Sequence, residues 1–115
     1  MPVKLVERIE LAELEEMAEN MFGDLVKAVV DIEKRVMAVD AGLHVDEEQM
    51  LLENGSAQHD LWGINLYPDS YGEDDFIEFD SMINIRPAQG NRSRSVEDAD
   101  MRATIIQIVG EIVHG

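Results

Sequence analysis

Two runs decide how this chain folds: Trp62-Gly63-Ile64-Asn65-Leu66-Tyr67, which stops at Pro68, and Phe76-Ile77-Glu78-Phe79-Asp80-Ser81-Met82-Ile83-Asn84-Ile85-Arg86, which stops at Pro87. In both, apolar side chains recur at every second position, the period of a strand with one buried face. The polar loop from Pro68 to Asp75 joins them. Pairing Tyr67 with Phe76 sets Leu66 against Ile77, Asn65 against Glu78, Ile64 against Phe79 and Gly63 against Asp80, with both apolar sets on one side of an antiparallel pair. The other side then carries Asn65, Glu78, Asp80, Asn84 and Arg86, a polar row that meets water or lines a site.

Toward the N-terminus, Lys4 to Ile9 reads as an edge strand, and Leu11, Leu14, Ala18 and Met21 form the apolar stripe of a surface helix ending at Gly23. Val26 to Ile32 and Val36 to Asp40 are rich in β-branched residues around a short polar interruption, as in a hairpin. A short helix follows, with Asp46 as its N-cap, Gln49 completing a capping box, Val45 and Met50 as a hydrophobic staple, and Asn54-Gly55 as its stop. Met101, Ile105, Ile108 and Ile112 mark a last helix within Val96 to Val113, starting near Ser95 or Asp98. The order βαββαββα predicts an α+β fold, an antiparallel or mixed sheet covered by helices; an elaborated ferredoxin-like core is one topology compatible with it. Residues 1–115 are expected to form a single compact domain without a linker.

Charge narrows the classes of function. The chain has 9 Lys+Arg against 25 Asp+Glu, a formal charge of -16, and residues 36–85 carry no Lys or Arg at all. General nucleic-acid binding and anionic membranes are disfavoured by that field, whereas a cationic protein partner suits it, as do solubility and adaptation to high salt. With no Cys there is neither a disulfide framework nor a thiolate metal site. No apolar run is long enough to span a bilayer and no leader pattern opens the chain, so a soluble, cytoplasmic protein is the expectation.

The segments His44 to Pro68 and Glu78 to Ser93 resemble those of a family of small prokaryotic proteins with no assigned function, and the resemblance extends through Phe22-Gly23-Asp24 and Val26 to Asp31. It implies no catalytic or ligand residues, so function is read from the side chains themselves.

Three constellations stand out. Asn84, Arg86, Asn91, Arg92 and Arg94 lie in a donor-rich strand-to-helix segment, and arginine forks beside free helix N–H groups suit a phosphate or carboxylate. Arg86 and Arg92 are expected as its principal donors. The segment matches no phosphate-loop fingerprint, and its arginines equally suit pairing with the surplus carboxylates. His44, Asp46 and Glu48 are candidate ligands for a divalent metal, although Asp46 is already explained as a cap and nothing like H-E-x-x-H is present. His44, Glu48, Glu78 and Asp80 are the candidate acid-base groups for a metal-assisted hydrolase acting on a phosphate-containing small molecule. No motif makes the chain an enzyme, and no cofactor is required. The leading expectation is a small acidic interaction protein, a homodimer or the partner of a cationic protein, with binding of a small anion at residues 84–94 as the alternative.

Overall fold

Alternate residues of strand β3 (Val26–Asp31) enter two different cores, and this decides the architecture. In the computed structural model, which describes residues 3–115, Val26, Ala28 and Val30 pack into a large cluster with Leu14 and Ala18 of helix α1 (Leu11–Asn20) and Ile105, Ile108, Val109 and Ile112 of the last helix. Val29 faces the other way, into a smaller cluster with Ala38, Leu61 and Leu51, the last from helix α2 (His44–Glu53). A sheet covered on both sides explains why every residue of strand β5 (Leu61–Leu66) is buried.

The fold is α+β, in the expected order. Strands β1 (Lys4–Val6), β4 (Val36–Val39), β3, β5 and β6 (Ile77–Glu78) form an antiparallel sheet in the order β1-β4-β3-β5-β6. Residues Ile9–Glu10, strand β2, leave that sheet and pair in parallel with β7 (Val113–His114), which follows helix α3 (Ala99–Ile112). The ferredoxin-like elaboration is not what the chain builds: β1 stands at an edge beside β4, and α1 and α2 cover opposite faces. Among the described residues no helix is long and apolar enough to cross a membrane.

The β3–β4 hairpin needs no Asn-Gly because a buried carboxylate organises its turn. Asp31 Oδ1 accepts from the backbone N–H of Glu33 and of Lys34, both at 2.9 Å, Ser56 Oγ donates to Oδ2 at 2.6 Å, and Arg35 takes the left-handed conformation with φ 57°. Helix α2 starts two residues before the expected cap. Leu43 is its N-cap, no side chain caps it, and Asp46 lies within the first turn. Its end is as expected: the N–H of Gly55 (φ 95°) bonds Leu52 O and that of Ser56 bonds Leu51 O, the paired bonds that close a helix with a left-handed glycine. At the last helix the choice between Ser95 and Asp98 falls to Asp98, whose Oδ1 accepts from Asp100 N at 2.9 Å.

The second of the two deciding strands is much shorter than its alternation predicts. Its register holds at Asn65–Glu78 and Leu66–Ile77, but Phe79 onward leaves the sheet and Met82–Asn84 is a 3-10 turn. Gly63 is the reason. A side-chain amide takes the place of a strand there, with Asn84 Oδ1 accepting from Gly63 N at 2.8 Å and Asn84 Nδ2 donating to Gly63 O at 2.9 Å. Ser81 settles into the space a side chain would need, since a Cβ on Gly63 would lie 2.5 Å from Ser81 Cβ.

Candidate functional site

Where β6 gives way to this irregular segment, a cleft of about 510 Å³ opens between the sheet and the start of α2, within the usual size of small-ligand sites. Its floor is a cross-strand row: Lys27 on β3 pairs with Asn65 on β5, which pairs with Glu78 on β6, so their side chains share the face that α2 covers. His44 and Val45 form the helix side of the cleft, and Asp80, Ser81 and Arg94 form the far wall. The mouth is apolar, because Phe22, Leu43, Val45 and Met82 are all exposed there.

Inside the cleft the acids are already engaged. Arg94 Nε donates to Asp80 Oδ1 at 2.6 Å, while Glu78 Oε1 accepts from Asn65 Nδ2 at 2.8 Å and from Tyr67 OH at 3.1 Å. Burial raises the Tyr67 phenol, and its bond to Glu78 raises it further, so it remains a donor. Asn65 Nδ2 also donates to Asp80 O at 3.3 Å, which fixes the amide and leaves Asn65 Oδ1 buried without a partner. His44 Nε2 lies 2.8 Å from Ile64 O. A carbonyl only accepts, so Nε2 carries the hydrogen and the neutral ring presents a lone pair at Nδ1. Burial lowers the His44 pKa and the nearby Lys27 charge adds to this, while the bond to Ile64 O and the Asp80 charge act in the opposite sense.

Lys27 is the group left over. It is half-buried, its Nζ sits 5.1 Å from the centre of the Phe22 ring, and among the described residues it makes no ion pair and no hydrogen bond. The nearby acid of α2 does not neutralise it. Burial pushes Glu47 up to about 10, so that wholly buried side chain carries its proton at neutral pH, with Oε2 accepting from Ala41 N at 3.3 Å.

Three of the four candidate acid-base residues, His44, Glu78 and Asp80, therefore meet in one cleft, joined there by Arg94. Glu48 does not join them; it is buried against Arg86, with Oε2 3.6 Å from Nη2. His44 and Asp46 were expected to reach one cation from an extended segment, with Glu48 joining from the first helical turn, but the segment is helical from His44. Two positions along a helix point apart, so Asp46 is exposed while His44 and Glu48 turn inward. Among the described residues no group of three or more His, Asp or Glu is placed to hold a metal.

The segment 84–94 is knotted into itself. Arg86 makes four hydrogen bonds inside the molecule, Nε to Ile83 O, Nη1 to Gln58 O and Gln89 Oε1, and Nη2 to Leu61 O, and its Nη2 also lies 3.6 Å from Glu48 Oε2. Its guanidinium also lies 4.9 Å from the Trp62 ring centre. Asn84 Nδ2 bonds Arg94 O as well as Gly63 O, and Asn91 Nδ2 bonds the carbonyls of Asn84, Ser93 and Ser95. The expected pairing of Arg86 with Arg92 as anion donors has no geometry behind it, because Arg86 points inward and the Arg92 side chain is exposed on the surface. Of this group only Arg94 reaches the cleft.

A family model described as protein of unknown function DUF5674 matches residues 3–112. The chain belongs to that family. No curated protein and no solved structure matches it. Membership brings no ligand or reaction, so the geometry of the cleft carries the functional reading. Lys27 is a residue of the cleft that the motifs and spacings of the sequence do not single out. The signal that could have found it is the register itself, which places it beside Asn65 and Glu78.

Proposed function

We propose that the cleft binds a small anion, a carboxylate or phosphate group carried on a partly apolar body. Lys27 carries this reading. In a chain with 25 acids, a half-buried lysine whose only close partner among the described residues is an aromatic ring is a cation kept for something else. Support comes from the start of α2 in the cleft wall, which no side chain caps, so free N–H groups and the positive end of the helix dipole lie beside the same space. The exposed Phe22, Leu43, Val45 and Met82 suit the apolar part of a ligand. Titration of phosphate and acetate at low salt, followed through backbone amide shifts, tests it. Saturable shifts centred on Lys27, His44 and Val45, lost in Lys27→Met and kept in Arg92→Ala, are expected; no saturable shift in the wild type, or equal binding by Lys27→Met, overturns the reading.

The apolar rim also favours a second reading, in which this face docks a cationic partner protein or a second copy of the chain. Light scattering across concentration and salt separates the two: a ligand-binding monomer is expected under the first, and salt-sensitive association through the rim under the second.

A further inference from the structure

We infer that a second pocket, between helix α3 and the loop that joins β5 to β6, binds a small apolar cation such as an alkyl or aryl ammonium. It is separate from the Lys27 cleft and independent of the anion reading. β6 is the edge of the sheet, so beyond Ile77 no further strand fills the space beside α3, and a pocket of about 390 Å³ remains there, in the lower part of the small-ligand range. Buried Phe76 and Val109 line it, together with Ile77 and Phe79, which pack on the large core. Tyr71 sets its ring edge-on to that of Phe76, with centroids 5.2 Å apart. One of the two Tyr and two of the three Phe of the chain thus meet at this pocket.

The helix side of the pocket is held open by a glycine that packing does not require. Ile106 and Gly110 are one turn apart on the same side of α3, and both line the pocket. A Cβ on Gly110 would meet nothing within 4 Å, and the residue has no positive φ. Glycine is the poorest helix former after proline, so α3 is weakened at a position where a larger side chain would fill the pocket. Charge selects what enters. Glu73 and Asp74 are exposed residues of the lining, neither makes an ion pair among the described residues, and no Lys or Arg lines the pocket. An apolar body against the rings can therefore bring a positive group to these carboxylates, and aromatic faces favour the same sign. An acidic headgroup would meet only like charge, the reverse of the Lys27 cleft.

The test titrates three probes of one shape, phenylbutylamine, phenylbutanol and phenylbutyrate, at low salt, with backbone amide shifts locating the site and calorimetry giving affinities. Expected in the wild type are saturable shifts centred on Phe76, Phe79 and the Ile106 to Gly110 turn, with the amine severalfold tighter than the alcohol, the acid weakest, and the amine's advantage shrinking as salt rises. Gly110→Met should abolish binding of all three while keeping or raising the melting temperature, because Met is the better helix former. The double variant Glu73→Gln, Asp74→Asn should leave the alcohol unchanged and bring the amine down to match it. No saturable binding of any probe, equal binding of amine and alcohol by the wild type, or an amine preference undiminished in the double variant overturns the inference. So do amine shifts scattered over the acidic surface and retained in Gly110→Met, the nonspecific pull of a chain of charge -16. A dimer in light scattering that Ile106→Asp dissociates would mean that a second copy covers this face, and the inference falls equally. The location and ranking of the three probes in the wild type decide the matter even if a variant does not fold.

Discussion

Replacing Glu47 with Gln should make the protein more stable at neutral pH and slightly less stable in acid. Glu47 is the first-turn acid that α2 turns into the interior, 0% exposed, with its proton held up to about 10 by burial against an ordinary value of 4.5. Because the folded-state value is raised, folding takes up a proton wherever the unfolded chain has already lost it. The associated cost is absent below about pH 4.5 and grows through the window between 4.5 and about 10. Each pH unit in that window corresponds to about 1.4 kcal/mol, so near pH 7.5 the wild type gives up roughly 4 kcal/mol to keep the side chain neutral.

Gln has nearly the same shape and never ionises. Its oxygen can take over the bond that Oε2 accepts from Ala41 N at 3.3 Å, while its extra N–H meets no partner, a loss of about 1 kcal/mol. A net gain of about 3 kcal/mol near pH 7.5 is therefore expected, or roughly 10 °C in Tm for a domain of this size, with no gain near pH 4.5. Denaturant unfolding of both proteins at the two pH values measures it directly. Contributions from His44 and from every other titrating group are common to both proteins and cancel in the difference. A gain of equal size at both pH values, or a loss near pH 7.5, would refute the reasoning.

Arg86→Ala should destabilise the fold by about 3–5 kcal/mol, because it strands a buried Glu48 and leaves the carbonyls of Ile83 and Leu61 without their donors; adding Glu48→Gln should recover part of that loss in urea unfolding, and anion titration of the folded variant should match the wild type. Gly63→Ala should cost about 1–3 kcal/mol, read as a lower unfolding midpoint, since its Cβ would meet Ser81 Cβ at 2.5 Å and Ile83 Cγ1 at 3.1 Å. Unaltered stability in Gly63→Ala would mean that the 81–84 turn moves aside freely.

Periodicity was a good guide wherever one element packs against one core. The stripe of α1, the hairpin of β3 and β4, the Gly55 stop of α2 and the register of Asn65 with Glu78 all follow from local spacing. It failed where a side chain does the work of a backbone. The alternation Phe79, Ser81, Ile83, Ile85 is as good a strand pattern as that of β5, yet Asn84 closes the hydrogen bonds of Gly63 and the backbone turns away. Nothing in a period of two distinguishes an Asn that faces water from one that imitates a strand; only Gly63, a gap in the neighbouring strand, hinted at it. The start of α2 was misplaced for a similar reason. Asp46, Gln49, Val45 and Met50 satisfy every local rule for a capping box, but the helix begins at His44, which seats its ring against Ile64 O at 2.8 Å.

That three-residue shift of the helix start also decides what the site is made of. Had α2 begun after Asp46, His44 and Asp46 would have lain on an extended segment facing the same way, and metal ligation would have been the natural chemistry. With the helix begun at His44, the same residues separate: His44 goes to the cleft, Glu47 to the interior without charge, and Glu48 to Arg86. The carboxylates that α2 turns inward are thus one protonated and one paired, and neither reaches Lys27. Among the described residues Lys27 makes no ion pair, while Glu47 is neutral and Glu78 and Asp80 are bonded elsewhere, a property of burial and pairing that formal charge along a sequence does not express. The net charge of -16 describes how the whole molecule meets distant partners, whereas the cleft answers to four side chains, Lys27, His44, Asn65 and Glu78, whose charges and hydrogen bonds leave, among the described residues, one cation and one buried acceptor without partners.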